Sequence, residues 1–206
     1  MKVLLINGSP NEKGCTYTAL KEIEKTLNQH NIQSEIVYLG KEPIADCIGC
    51  FACLKNKKCI YNDKVNVVNQ MLDDIQGIIL GSPVYFANAS GRIRSFSNRL
   101  FFSCGSKLRY KLGAAIVSCR RGGASAAFDQ LNKYFTINNM PIVSSNYWNQ
   151  VHGNTPEEVI QDEEGMQTLR ILGKSMAWLL NSIEAGKNLG IKEPEFEEKT
   201  RTNFIR

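Results

Sequence analysis

Histidine is scarce in this 206-residue chain, with two copies, and tryptophan is equally rare. There is no HExxH pattern and no serine–histidine–aspartate set, and no paired carboxylates are read as an acid–base catalytic couple. The side-chain machinery of zinc and serine hydrolases is therefore missing. Long apolar runs are missing too. The longest hold four to five residues, such as Val3-Leu4-Leu5-Ile6, whereas a membrane-spanning helix needs about 20, so no membrane association is expected. The first residues offer one lysine and then four apolar residues. That is shorter than the apolar core of a secretory signal, and a cytoplasmic location is expected. Charge is not concentrated in a stripe. Lys and Arg number 25 against 20 Asp and Glu, and the densest patch is Lys55, Lys57 and Lys58. This argues against nucleic-acid binding but suits a small anionic ligand.

Cysteine is the exception. The seven stand at positions 15, 47, 50, 53, 59, 104 and 119, and four fall within 13 residues. An odd number clustered in a chain long enough for its own core points away from disulfides and toward metal or redox chemistry.

The chain alternates short apolar runs with stretches of helical period. Strands are expected at residues 2–7, 34–39, 77–81, 112–119 and 141–148. Helices are expected at 16–28, from the Asp63 cap onward, at about 91–102, at 124–138 and, as one long helix, at 157–184. A polar tail follows from about 187. Strands one, three and four read VLLI, GIIL and LGAAIV. Continuous apolar strands are buried on both faces, as in a parallel sheet with helices on each side. For five such units the common strand order is 2-1-3-4-5, with ligands beyond the carboxyl ends of the strands. Residues 1–206 read as a single domain. Residues 40–62, which hold the clustered cysteines, read as a functional insertion because they are long for a simple connection.

Three loops belong to that carboxyl edge. The first, Gly8-Ser9-Pro10-Asn11-Glu12-Lys13-Gly14-Cys15-Thr16, opens a helix. A helix N-terminus offers free N–H groups and partial positive charge to a phosphate. Ser9, Asn11 and Thr16 add donors, and Gly14 lets the backbone approach. Walker A and GxGxxG are both absent, which points to a single phosphomonoester; an ordinary turn is the plain alternative. The second loop runs from Gly81 to Ser90 and carries Pro83, Val84, Tyr85 and Phe86, against which a flat ring could lie. The third, Ser118-Cys119-Arg120-Arg121-Gly122-Gly123, supplies backbone donors and positive charge.

In that order, GSPNEKGCT, SPVYFANASGRIRSF and SCRRGG resemble the three flavin loops of the NADPH-dependent FMN reductase family, over roughly residues 1–150. The final helix and the ending RTNFIR resemble its iron–sulfur flavoprotein branch. The resemblance implies a flavodoxin-like three-layer sandwich. It also implies FMN, with the phosphate on Ser9, Asn11, Cys15 and Thr16. The ring would lie against Pro83, Val84, Tyr85, Phe86 and the Gly122-Gly123 loop, near Ser118 and Arg121. Cys15 departs from the more usual Asn or Ser. A thiol is a weak donor, so its backbone N–H is expected to make the contact.

Cys47, Cys50, Cys53 and Cys59 form a C-x2-C-x2-C-x5-C motif. Ferredoxins open their [4Fe–4S] runs with the same spacing, whereas structural zinc more often uses two separated pairs. Free thiols and zinc remain alternatives from spacing alone, and the resemblance implies a [4Fe–4S] cluster. The expected function is an FMN-dependent NAD(P)H oxidoreductase acting on a small electron acceptor. The alternative is an electron carrier fed by a ferredoxin-like protein. A homodimer or tetramer is expected, partly because Phe96, Leu100, Phe101 and Phe102 give one helix an apolar surplus. His152, after the fifth strand, is a further candidate for the ligand's edge.

Overall fold

Strand β1 (Lys2–Asn7) sends alternate side chains into two cores: Leu4 and Ile6 into one, Val3 and Leu5 into the other. Strand β3 (Gly77–Tyr85) divides Ile78 and Leu80 from Ile79, and β5 (Leu112–Cys119) divides Ala115 and Val117 from Ala114 and Ile116. A period of two with both faces buried makes these strands apolar throughout. Each large aliphatic side chain so buried contributes roughly 1.5–3 kcal/mol. This computed structural model describes residues 1–204; the Ile205-Arg206 end of the motif noted above lies outside them.

Strands β2 (Gln33–Tyr38) and β6 (Gln150–His152) complete a parallel sheet in the order β2-β1-β3-β5-β6, while β4 (Asn88–Ala89) folds back antiparallel on β3. Helices α1 (Cys15–Gln29), α6 (Pro156–Gln161) and α7 (Glu163–Asn188) cover one face. Helices α3 (Lys64–Met71), α4 (Gly91–Leu108) and α5 (Ala124–Thr136) cover the other, and the one-turn α2 (Ala52–Asn56) sits within the cysteine insertion. Asp63 caps α3 as expected, its carboxylate accepting from the Val65 N–H. No helix among the described residues is long and apolar enough to cross a membrane.

The expected order of the five parallel strands holds, but the fifth strand lies elsewhere. Residues 141–148 make one bridge, Ile142 beside Gly113, and then leave the sheet. Ser145 organises a turn, accepting from the Tyr147 N–H, and the buried Asn149 side chain donates to the Ala115 carbonyl. Regular pairing resumes at Gln150, opposite Val117. The apolar run at 141–143 carried the sequence signal, yet a side-chain amide replaces the backbone rung that a continuous strand would make. The long final helix is also two helices. Asp162 leaves helical geometry, with ψ at 77°, because its carboxylate accepts from the Gly165 and His152 N–H groups. Strand β3 runs four residues past Gly81, and α4 runs past Phe102 to Leu108.

Gly113 lies under the ring of Phe135, where an added Cβ would come within 2.6 Å of the ring. Gly113→Ala is expected to cost about 1–3 kcal/mol through overpacking. A thermal melt should therefore fall by several degrees; an unchanged melt would show that the ring has room to move.

Candidate functional site

The loop after β1 is held in shape from within. Buried Asn7 accepts from the Ser9 N–H at 3.1 Å and donates to the Glu12 carbonyl at 2.9 Å. The Ser9 hydroxyl accepts from the Asn11 N–H, and the Tyr38 hydroxyl donates to the Pro10 carbonyl. Gly14 then starts α1 with no side-chain cap, and the first turn of the helix carries no acidic residue. Its leading N–H groups have no partner within the helix, so this end presents donors and partial positive charge to an anion. The Thr16 hydroxyl is buried and hydrogen-bonded to the Ser118 hydroxyl at 2.8 Å. The Thr16 side chain thus joins the first loop to the third.

The second loop is stitched to the first. The Gly8 N–H donates to the Gly81 carbonyl. The buried Ser90 hydroxyl donates to the Gly8 carbonyl, and the Ser90 N–H donates to Ser82. Beyond Pro83 and Val84, the chain turns through Phe86 and Ala87, both at positive φ, and returns as β4. Two positive φ angles define the tight hairpin turn that matches strand twist. Tyr85 is half exposed and Phe86, at the tip, is 99% exposed. Gln130 of α5 steadies the hairpin by accepting from the Ala89 N–H. Gly123, at φ +88°, lies so close that an added Cβ would sit 2.6 Å from the Ala87 Cα. Only glycine suits both that conformation and that approach. The three loops thus share one edge, although the Arg121 side chain stays on the exposed surface.

At the far side of this edge, the Cys119 thiol lies 3.5 Å from His152 Nδ1, and the Cys15 thiol points to the Gly153 carbonyl at 3.8 Å. Burial pushes both thiols up, which keeps them protonated near neutral pH.

The cysteine insertion has little regular structure but is pinned by two helices. Asn66 of α3 grips Cys59 through both its N–H and its carbonyl, and Asn69 donates to the Lys57 carbonyl. From α4, Arg92 holds the Lys41 and Glu42 carbonyls, and Asn98 donates to Asp46. Arg99 reaches Cys59, Asp63 and the Ala45 carbonyl. Cys47, Cys50, Cys53 and Cys59 line one pocket, closed by Phe51, Ile60 and Phe102. Burial pushes the Cys53 thiol up, and the three neighbouring thiols push it further. Among the described residues, no three His, Cys, Asp or Glu converge as they would around one ion. In a [4Fe–4S] cube each thiolate holds its own iron. Four thiols around one apolar-walled pocket fit the cube's donor chemistry.

A profile of NADPH-dependent FMN reductases matches residues 1–155. The chain belongs to this family.

Among relatives of this FMN reductase family member is an iron–sulfur flavoprotein of Methanocaldococcus jannaschii. It is 32% identical, with 89% of this chain and all of the relative covered. An iron–sulfur flavoprotein of Archaeoglobus fulgidus is 30% identical over 87% of this chain and 97% of its own. A flavodoxin from the domain Archaea superposes with a TM-score of 0.61 at 15% identity, covering 88% of this chain and 99% of that one. The fold is flavodoxin-like, as its sheet order indicates.

Sequence reasoning passed over several residues that build this reductase-family site. Asn7, Tyr38, Ser82 and Ser90 shape the loops, yet each is a common residue whose partner lies elsewhere in the chain. Asn66, Arg99 and Asp63 shape the cysteine insertion in the same way. Of these, Asp63 alone carried a signal, as a helix cap.

Proposed function

We propose that this flavodoxin-like protein is an FMN-dependent NAD(P)H oxidoreductase of the flavin- and quinone-reductase type, and that it also holds a [4Fe–4S] cluster on Cys47, Cys50, Cys53 and Cys59. One observation carries the reading: the uncapped start of α1, the Tyr85–Phe86 hairpin and the Gly122-Gly123 loop are hydrogen-bonded or packed together at one sheet edge. When bound, FMN supplies a ring that takes up electron pairs, and the cluster supplies one-electron transfer.

The chain's own residues bind and orient. The α1 N–H groups, with Ser9 and Asn11, take the phosphate. Gly14 lets the backbone close on it, and Cys15 contributes its N–H. Pro83, Val84, Tyr85 and Phe86 offer one wall to the ring. Gly122, Gly123 and Arg121 offer donors and positive charge to its polar edge, where negative charge develops on reduction. Support for the cluster comes from the pocket's four thiols and from relatives that carry the name iron–sulfur flavoprotein. The exposed Lys55, Lys57 and Lys58 beside the motif favour a second reading, in which a ferredoxin-like protein is the electron donor.

A homodimer or dimer of dimers belongs to the same reading, on a revised basis. Phe96, Leu100 and Phe101 pack inside the subunit's own core, so the apolar surplus expected of α4 is mostly spent there. Phe102 remains exposed, in edge contact with Phe51 at 5.9 Å. The test of function is a steady-state assay of anaerobically purified protein. Oxidation of NADH or NADPH with a quinone or ferricyanide as acceptor is expected. Reduction by reduced ferredoxin alone, with neither pyridine nucleotide consumed, would favour the carrier instead.

A further inference from the structure

Among the described residues, Arg99 is the bulkiest fully buried side chain, at 1% exposure. A guanidinium has five N–H donors, and here every one has an acceptor. Nε donates to the Cys59 Sγ at 3.1 Å. Nη1 donates to Asp63 Oδ2 at 2.6 Å and to the Ala45 carbonyl at 3.2 Å. Nη2 donates to Asp63 Oδ1 at 2.9 Å and to the Tyr61 carbonyl at 3.4 Å. The Tyr61 ring lies 4.8 Å from the guanidinium carbon.

Burying a cation costs several kcal/mol, and an apolar residue of similar size would often stabilise the fold as well or better. A packing role alone therefore leaves the charge unexplained. Its placement is selective. Among the described residues, Cys59 is the one member of the motif whose sulfur receives a side-chain hydrogen bond. Asn66 holds the same residue's backbone on both sides. A cation and an N–H···S bond favour the more negative state of an iron–sulfur centre, so they raise its potential. Asp63 opposes that effect because it neutralises the guanidinium.

We propose that Arg99 is the positioning residue of the cysteine motif: it fixes the Cys59 corner and makes the centre held there easier to reduce, with Asp63 setting how much of its charge is felt. This rests on the cluster reading above. Lysine cannot substitute, because its point charge lacks the fork that spans Cys59 and both Asp63 oxygens.

The test is an anaerobic redox titration of the cluster, followed by electron paramagnetic resonance, with the FMN potential as an internal control. Arg99→Gln is expected to make reduction about tenfold less favourable, a shift of about 59 mV to more negative potential for one electron. Arg99→Lys should shift it the same way by less. Asp63→Asn keeps a helix-capping side chain and should shift the cluster to more positive potential. Opposite signs at two partners of one ion pair are not what a merely structural role produces. If Arg99→Gln fails to assemble a cluster, the sign of the Asp63→Asn shift decides. A cluster potential unmoved in these variants overturns the role of Arg99 alone. A wild-type protein made anaerobically without iron or sulfide overturns the cluster reading, and this one with it.

Discussion

Protein carrying Ser9→Asp and Asn11→Asp is expected to purify folded and colourless. Both positions lie in the loop that opens α1, where the uncapped N–H groups would receive a phosphate. At an effective dielectric of about 20, two unit charges about 5 Å apart repel by about 3 kcal/mol. One such carboxylate then weakens FMN binding by about a hundredfold, and the pair by more. Asn11 is exposed, so its change should leave the fold intact. Ser9 is buried, and its oxygen already accepts from the Asn11 N–H, a role that a carboxylate can keep. A charge there carries a burial cost, so Asn11→Asp alone is the control for folding. Thr16 is a poorer target, because its buried hydroxyl ties α1 to Ser118 and its loss would confuse binding with folding. Absorbance of the purified protein and a flavin fluorescence titration give the affinity, and circular dichroism gives the fold. A double variant that stays yellow, with FMN affinity near wild type, would overturn the phosphate seat.

Cys50→Ala is expected to remove iron and sulfide entirely while leaving FMN bound. Cys50 is exposed and lines the pocket shared by the other three thiols. Its loss leaves three thiolates where the usual ligand set for a cube is four, and the exposed corner is then open to solvent. The phosphate and ring loops take their shape from Asn7, Ser90, Gln130 and Gly123, none of which touches the cysteine pocket. Two-electron reduction of a quinone should then survive, while one-electron transfer to a protein acceptor falls to background. Iron and sulfide analysis, with flavin absorbance in the same sample, reads the first part. Stopped-flow mixing with an acceptor protein reads the second. Loss of both FMN and iron together would show that the two sites are not independent.

The sheet was legible because both cores impose a period of two on the same strands. Val3 through Ile6, Ile78 through Leu80 and Ala114 through Val117 must be apolar at every step, since neither face of the sheet meets water. The glycines and small polar residues of the three edge loops were legible for a related reason: tight turns and close backbone approach admit few other residues. The cysteine spacing needed no fold at all to be noticed.

What the tertiary structure decided lies in partnerships between distant residues. Asn149 ends the expected fifth strand by offering its amide to Ala115, and Asp162 breaks the expected last helix by accepting from His152. The Thr16 hydroxyl finds the Ser118 hydroxyl across 102 positions of sequence. Arg99 reads in sequence as one more basic residue on a helix. Only the fold buries it between Asp63 and Cys59, where its charge acquires a direction and an effect. Periodicity records what a residue's neighbours along the chain require. It carries no record of a hydrogen bond whose second partner is brought in by folding.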